Sequence, residues 1–191
     1  MRDPYQIVDG IDEMKIRTRE DFTKILELYK DPVGIIIGGG RGLFIEYLME
    51  RTMENLFLYV VKGVPRPEGN PKLEDLKRRL TRFGDRTSII TKSNKDASDL
   101  FKDGFFDFIY IDDGSSHEAV AANLEIWWPK VKDGGMISGQ GYAGKKKNKF
   151  TAQAVNEFIS RNNQELFFTY EESKENKDRL RSYYFFKNMA P

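Results

Sequence analysis

A run of glycines at 38–42 is the feature that most restricts how this chain can fold. It follows a short β-branched segment, Ile35–Ile37, and precedes a segment with Phe44 and Leu48 at helical spacing. Glycine adopts positive φ angles easily and lets the backbone approach a ligand closely. The N–H groups of a following helix also point into such a turn. The pattern therefore predicts a strand, a tight turn and a helix, with a nucleotide-like ligand over the turn. The glycines concerned are Gly38, Gly39, Gly40 and Gly42.

The spacing of these glycines excludes two common phosphate-binding turns. A dinucleotide-binding turn needs G-x-G-x-x-G, but Leu43 stands where its third glycine would fall. A P-loop needs Gly-Lys followed by Ser or Thr after four spacer residues, and this segment contains no such run. What remains is G-x-G-x-G, a pattern that is also compatible with a β–α connection that binds no ligand.

Strand and helix patterns alternate along the rest of the chain. Alternation predicts an α/β fold, a three-layer sandwich whose seven-stranded sheet is mostly parallel and ends on an antiparallel strand. Ligands of such sheets lie beyond the carboxyl ends of the strands, which places 38–42, 112–117 and 139–144 on one edge. The strands are predicted at 33–37, 56–61, 87–90, 104–113, 136–138, 166–170 and 182–187. Asp133-Gly134-Gly135 is predicted to form a turn that leads into the fifth of these strands. Helices are predicted at 18–29, 43–52, 73–83, 118–128 and 150–162, with a short one ending near 101.

Composition narrows the classes of function. The 191 residues suit one domain, with 1–30 as an N-terminal lead-in and helix and 33–187 as the core. Cysteine is absent and His117 is the single histidine, which excludes disulfides, thiolate metal sites and sites with several histidines. A formal net charge of +1 argues against a general nucleic-acid-binding domain. No apolar run reaches the roughly 18 residues that span a membrane, and no signal peptide is evident. We therefore expect a cytoplasmic protein without membrane association.

Four features together resemble the class I S-adenosylmethionine (SAM)-dependent methyltransferases over about 33–187. The first is Gly38-x-Gly40-x-Gly42 after the first strand, and the second is Phe106-Asp-Phe-Ile-Tyr-Ile-Asp112, similar to the family's fourth strand with its terminal acid. The third, Trp127-Trp-Pro-Lys-Val-Lys-Asp-Gly-Gly-Met-Ile, resembles the W-P-x-L-K-x-G-G step into the fifth strand. The fourth is the closing aromatic hairpin. The resemblance implies a Rossmann-like fold, SAM as cofactor and methyl transfer as the reaction.

One string points to a subgroup of that family. Ile111-Asp-Asp-Gly-Ser-Ser-His-Glu-Ala-Val is similar to the I-D-D-G-S-H and I-D-G-x-H-S-Y-E-A-V motifs of macrocin-type and sugar O-methyltransferases. This resemblance implies a divalent metal, Mg or Mn, held by acids after the fourth strand. It also implies a further acid in an H-D-Y motif after the fifth strand.

The sequence departs from the family pattern at three places. Ile36 stands where an acid commonly precedes the glycines, and Lys62 stands near where an acid usually holds the ribose hydroxyls. Gln140-Gly141-Tyr142 replaces H-D-Y, so that carboxylate is missing. We therefore expect cofactor binding that is weaker, or organised differently, than in relatives.

The candidate site residues each have a structural alternative. Asp112 and Asp113 are candidates for catalysis and metal binding, or they form a solvated turn in which Asp113 caps the next helix. His117 is a candidate general base, or a polar residue in the first turn of that helix. Ser93 and Asn94 contact the adenine end of the cofactor or cap a short helix. The cofactor-binding candidates are Gly38, Gly39, Gly40, Gly42, Lys62, Ser93, Asn94 and Asp112, and the substrate candidates are Gln140 and Tyr142.

These observations predict a SAM-dependent O-methyltransferase that acts on a hydroxyl of a small acceptor, with a sugar or glycan as first choice. The lysine run at 145–149 is a candidate contact for an anionic group, or a solvated surface. One alternative is a non-catalytic protein of the same fold that binds a partner, which Ile36, Lys62 and Gly141 favour. The other is a nucleic-acid methyltransferase, which the near-zero net charge disfavours. The sequence leaves the oligomeric state open.

Overall fold

The computed structural model describes residues 14–52, 55–65, 69–142, 149–169 and 181–188. Its strands are β1 (Val33–Ile37), β2 (Phe57–Lys62), β3 (Thr87–Thr91), β4 (Phe106–Ile111), β5 (Val131–Gln140), β6 (Phe167–Phe168) and β7 (Ser182–Phe186). Its helices are α1 (Phe22–Leu26), α2 (Leu43–Arg51), α3 (Pro71–Leu80), α4 (Asn94–Ser98), α5 (His117–Trp127) and α6 (Lys149–Arg161). Short 3-10 turns lie at Arg19–Asp21, Thr81–Arg86 and Trp128–Lys130.

The strands of the described residues form one sheet in the order β3-β2-β1-β4-β5-β7-β6. Strands β1 to β5 are parallel, whereas β7 is antiparallel to both β5 and β6. The predicted mostly parallel sheet with an antiparallel last strand is therefore confirmed. The chain runs outward from β1 to β3 and then returns to place β4 on the other side of β1. Ligands of open α/β sheets bind at such a reversal, so the carboxyl ends of β1 and β4 mark the expected site.

Two apolar clusters, one on each face of the sheet, produce the three layers. The strand β1 contributes to both, because side chains alternate across a strand. Ile36 packs in the cluster that α1, α2 and α3 cover. Ile35 and Ile37 pack in the cluster that α4, α5 and α6 cover. The fold buries both faces of its central strands, as a parallel sheet requires.

Several element boundaries differ from the sequence prediction. The strand β5 begins at Val131 rather than 136, and its register with β4 shifts between Phe106 and Phe108. Gly134, at φ +73°, lies in this irregular stretch, so the predicted turn is a bulge inside the strand. The predicted helix at 18–29 is a 3-10 turn followed by the five-residue α1.

The predicted antiparallel pairing of the last two strands is confirmed, although β6 is only two residues long within the described part of the chain. Residue 170 and the first three lysines of the predicted run, at 145–147, lie outside the described residues, whereas Lys149 begins α6. Among the described helices, none is both long and apolar enough to cross a membrane.

Candidate functional site

The glycine turn between β1 and α2 adopts a conformation that side chains disfavour. Its φ angles are +90° at Gly38, +69° at Gly39, +52° at Gly40 and +89° at Gly42. A Cβ atom at Gly38 would lie 2.2 Å from the carbonyl oxygen of Asp112, so glycine is what allows the turn to contact the end of β4. A Cβ atom at Gly40 would meet nothing within 4 Å. The turn is therefore closed against β4 on one side and open on the other.

Asp112 follows β4 directly and lies beside this turn. Burial raises the pKa of its carboxyl group from 3.8 to about 6, although the positive charges of Arg19 and Lys62 act in the opposite direction. The neighbouring charge of Asp113 adds to the increase. A carboxyl group with a pKa close to neutrality can both accept and release a proton at the working pH of an enzyme.

Lys62 is the last residue of β2, and its side chain contacts the backbone of the glycine turn. Its Nζ donates a hydrogen bond of 2.6 Å to the carbonyl oxygen of Gly40, and the residue is only 7% exposed. Burial lowers the pKa of the Lys62 ammonium group, while the nearby Asp112 acts against that change. The lysine thus connects the end of β2 to the glycine turn.

Arg19 is a site neighbour that the sequence reasoning missed. Its Nη1 donates a hydrogen bond of 2.9 Å to Oε1 of Gln140, and its guanidinium group stacks 4.7 Å from the ring centroid of Phe44. The Arg19 side chain is 10% exposed. A capping box between Thr18 and Asp21 fixes the 3-10 turn that carries Arg19. That capping pattern is visible in the sequence, but the docking of the turn against β4 and β5 is a tertiary contact.

A hydrogen-bond network organises the loop after β4. Nδ2 of Asn94 donates to Oδ2 of Asp113 at 3.0 Å and to Oδ1 of Asn123 at 2.6 Å, and Asn123 donates to the backbone oxygen of Asp113 at 3.0 Å. Ser116, not Asp113, caps α5, so that structural alternative for Asp113 is wrong. Ser93 caps α4, as its structural alternative predicted. The proposed site roles of these residues stay predictions.

A cavity of about 300 Å³ opens between the ends of β4 and β5 and the start of α6. Its wall is mixed, with carboxylate, hydroxyl and amide groups among apolar side chains. The polar contributors are Asp112, Asp113, Ser115, Gln140, Thr151 and Tyr183. The structure therefore brings together three of the predicted catalytic and substrate residues in one place.

Two other predicted residues lie elsewhere. Nε2 of His117 is 2.7 Å from Oε2 of Glu157 on α6, and His117 is not among the residues that line the cavity. The hydroxyl group of Tyr142 donates to Oδ1 of Asn156 at 2.9 Å, and its ring packs 4.3 Å from that of Phe168. His117 and Tyr142 are held against α6, because Glu157 and Asn156 there satisfy their polar groups. The cavity is thus formed without them.

Comparison with known families decides what kind of protein carries this site. Residues 37–140, more than half of the chain, match the family described as a methyltransferase domain. The chain belongs to that family. The matched segment begins at the last residue of β1 and ends at the last residue of β5, so it contains the glycine turn, Lys62, Asp112 and Gln140.

Solved structures share the fold of this methyltransferase at low sequence identity. A SAM-dependent methyltransferase from Aquifex aeolicus matches at a TM-score of 0.61 with 15% identity, over 97% of this chain and 98% of that one. A precorrin-6y C5,15-methyltransferase from Geobacter metallireducens matches at 0.65 with 15% identity, over 88% and 87%. A spermidine synthase from Thermotoga maritima matches at 0.60 with 17% identity, over 91% and 61%. Such likeness shows the fold alone. No curated protein sequence matches the chain significantly.

The family implies SAM as the methyl donor, and the glycine turn of this methyltransferase fits that group. The open face at Gly40 leaves room for a ligand on the backbone, and the carboxyl group of Asp112 beside it suits the cationic groups of the donor. Lys62 fits less directly, because an ammonium group donates hydrogen bonds to ribose hydroxyls, whereas a carboxylate accepts them. The residues of this chain therefore match the family's cofactor contacts at the glycine turn and differ from them at the end of β2.

The described residues do not form a complete metal-binding set. No group of three or more His, Cys, Asp or Glu side chains within the described part of the chain is arranged to hold a metal ion. Asp112 and Asp113 supply two carboxylates, and the positive charges of Arg19 and Lys62 already act on Asp112. The predicted Mg or Mn site stays a prediction, and the chemistry below does not depend on it.

Proposed function

We propose that this methyltransferase transfers a methyl group to the hydroxyl oxygen of a small acceptor, with a sugar or glycan as the first candidate. The observation that carries the proposal is the carboxyl group of Asp112. It lies in the wall of the cavity, beside the glycine turn, and burial raises its pKa to about 6. Methylation of a hydroxyl requires removal of its proton, and a carboxylate of this basicity is suited to that task near pH 7.

The chemistry assigns a separate task to each group. The bound donor supplies an electrophilic methyl group on a sulfonium, so that an in-line attack by oxygen leaves a neutral thioether. The carboxylate of Asp112 accepts the proton of the acceptor hydroxyl as the oxygen–carbon bond forms. The Arg19 guanidinium group, which lowers the pKa of Asp112, keeps that carboxyl group ionised at neutral pH. Asn94 and Asn123 hold the loop that follows it, which positions Asp112 and Asp113.

The cavity supports a compact, hydroxylated acceptor. Its volume of about 300 Å³ lies at the small end of ligand pockets. Ser115, Gln140 and Thr151 offer hydrogen-bonding groups around it. A polyol such as a sugar can satisfy several such groups at once, whereas a flat hydrocarbon would leave them unpaired, which is unfavourable.

The test is a methyl-transfer assay with SAM and a panel of sugars, nucleotide sugars, phenols and amines, read out by mass spectrometry and by release of S-adenosylhomocysteine. We expect an O-methylated product from the sugar group. Asp112→Asn removes the base and is expected to lower the rate by about 100-fold or more, whereas Asp85→Asn, at an exposed position in the 3-10 turn before β3, is the control for loss of a carboxylate away from the cavity. Methylation restricted to amines, or full activity of Asp112→Asn, would contradict the proposal.

Further measurements test the metal and the two alternative functions. Loss of turnover in EDTA, restored by Mg or Mn, would add the predicted metal to the mechanism, while full turnover in EDTA leaves Asp112 as the base. Calorimetric titration with SAM tests the non-catalytic alternative, since no binding at millimolar SAM would exclude an enzyme. Salt-dependent RNA binding would instead support a nucleic-acid substrate.

A further inference from the structure

Tyr183, the second residue of β7, contributes to the wall of the cavity, but the chemistry above gives it no task. The residue is only 1% exposed, and its ring packs in the apolar cluster on one face of the sheet. Its partner across the strand pair is Gly139 of β5. A Cβ atom at Gly139 would lie 2.5 Å from Oη of Tyr183 and 2.7 Å from the carbonyl oxygen of Ile111. The glycine therefore lets the Tyr183 hydroxyl group reach over β5 toward the end of β4, which Asp112 follows.

The hydroxyl group of Tyr183 makes no hydrogen bond with any other described residue, in contrast to two other buried tyrosines. Tyr29 donates a hydrogen bond of 2.9 Å to the carbonyl oxygen of Gly134. Oη of Tyr110 lies 3.4 Å from Oγ of Ser182. Burying a hydroxyl group without a partner is unfavourable, and most buried polar groups of folded proteins are paired. An unpaired hydroxyl group in the wall of a cavity therefore favours a role in binding a ligand there.

The surroundings of Tyr183 keep its hydroxyl group protonated. Burial raises the pKa of this group, and the nearby Tyr110 adds to the increase. At neutral pH the hydroxyl group is therefore available as a hydrogen-bond donor. Asp112, in the same cavity, is available as an acceptor and as the proposed base. The cavity thus offers a bound substrate two different polar contacts.

We propose that Tyr183 donates a hydrogen bond to a second oxygen of the acceptor substrate and so selects diols and polyols over simple alcohols. A donor on the attacking oxygen would make it less nucleophilic, so this contact suits a neighbouring oxygen that does not react. Such a contact is equally strong before and during methyl transfer, and it therefore lowers KM without changing kcat. Tyr183 has this role only if the protein methylates a hydroxyl group, so the proposal rests on the proposed function and specifies its substrate class.

The experiment uses trans-cyclohexane-1,2-diol and cyclohexanol, which share the same ring and differ by one hydroxyl group. KM and kcat for methyl transfer from SAM to each alcohol are measured with wild-type protein, Tyr183→Phe and Tyr29→Phe. Tyr183→Phe keeps the buried ring and removes only the oxygen. Tyr29→Phe is the matched control, because its hydroxyl group is bonded to Gly134 and it does not line the cavity. Urea denaturation and titration with S-adenosylhomocysteine are carried out on all three proteins.

We expect wild-type protein to have a KM for the diol about tenfold below its KM for cyclohexanol, at similar kcat. Tyr183→Phe should raise the KM for the diol to that for cyclohexanol, whereas Tyr29→Phe should keep both wild-type values. Tyr29→Phe should unfold at a lower urea concentration than wild-type protein. Tyr183→Phe should not, because its hydroxyl group has no partner within the described residues to lose.

The role of Tyr183 is overturned if Tyr183→Phe leaves the KM for the diol unchanged, or if wild-type protein has the same KM for both alcohols. It is also overturned if Tyr183→Phe loses as much stability as Tyr29→Phe, because the hydroxyl group would then be bonded within the protein. In each of these cases, methyl transfer to the diol leaves the proposed function standing. Absence of methyl transfer to the diol, with normal binding of S-adenosylhomocysteine, again overturns the role of Tyr183. The proposed function fails only if the sugars are not methylated either.

Discussion

Replacement of Asp112 by asparagine should make the protein more stable at neutral pH. The pKa of Asp112 rises from 3.8 in the unfolded chain to about 6 in the folded protein, and burial is the main cause. A difference of about 2 units corresponds to about 3 kcal/mol of free energy of unfolding. The opposing attraction of Arg19 and Lys62 is already contained in this net value. Ionisation of Asp112 therefore lowers the stability of the fold, even with two cations nearby.

The direction of the pKa shift of Asp112 determines the pH range in which the stability of the two proteins differs. Because the folded-state pKa exceeds the unfolded value, the folded protein holds the Asp112 proton more tightly between about pH 4 and pH 6. The stability due to that proton is fully present below about pH 4 and is lost as the pH rises through about 6. The stability gained in Asp112→Asn should thus grow from near zero at pH 4 to about 3 kcal/mol at pH 7.5.

Urea denaturation of both proteins between pH 4.5 and 8 measures this gain directly. Asp85→Asn serves as the control, since a substitution at an exposed position away from the site usually changes stability by less than about 0.5 kcal/mol. The reasoning is refuted if Asp112→Asn is less stable than wild-type protein at pH 7.5, because the carboxylate would then be a net stabilising partner of Arg19. It is equally refuted if the gain is the same at every pH. If Asp112 serves catalysis at a cost in stability, Asp112→Asn should be more stable than the wild-type protein and inactive.

Three further changes test the geometry around this residue. Gly38→Ala should lower the free energy of unfolding, measured by urea denaturation, by about 3 kcal/mol or more, because its Cβ would lie 2.2 Å from a backbone oxygen. Gly40→Ala has open space for the Cβ and should lower the free energy of unfolding by only about 1 kcal/mol. Arg19→Met should move the acid limb of the pH–rate profile to higher pH, because Arg19 lowers the pKa of Asp112; an unchanged limb would contradict this role. Tyr29→Phe should lower the free energy of unfolding by about 1 kcal/mol, because it removes a buried hydrogen bond of 2.9 Å to Gly134 in the β5 bulge. Thermal unfolding measures this change, and an unchanged stability would show that the hydrogen bond contributes nothing net.

The fold was predictable from the sequence because local patterns and sheet topology agree. The β-branched residues of β1, the glycine turn and the alternating helices leave few ways to bury both faces of a parallel sheet. The boundaries of strands were less predictable at glycines, because glycine is common both in turns and in β-bulges. Gly134 and Gly135 read as a turn before β5, whereas the structure places them in a bulge within it. Both arrangements need the same conformational freedom, and only pairing with β4 distinguishes them.

The site was predictable where its residues lie at strand ends and not where they depend on packing between elements. Asp112, Asp113 and Gln140 follow from strand order, and the structure places all three in one cavity. His117 and Tyr142 are near them in sequence, but Glu157 and Asn156 hold them on α6 instead. Arg19 could not be assigned, because it reaches Gln140 across 121 residues of sequence.

Lys62 shows how a departure from a family pattern acquires a physical meaning only in the structure. In the sequence it is a missing acid, which suggests a weakened cofactor site or a protein without catalysis. In the structure it is a buried cation that bonds the backbone of Gly40 and lowers the pKa of Asp112. A carboxylate at the end of β2 would do the reverse and raise the pKa of Asp112, since like charges disfavour ionisation. The same substitution that removes a ribose contact therefore helps to keep the proposed base ionised, so Lys62→Met should shift the acid limb of activity to higher pH, as Arg19→Met does.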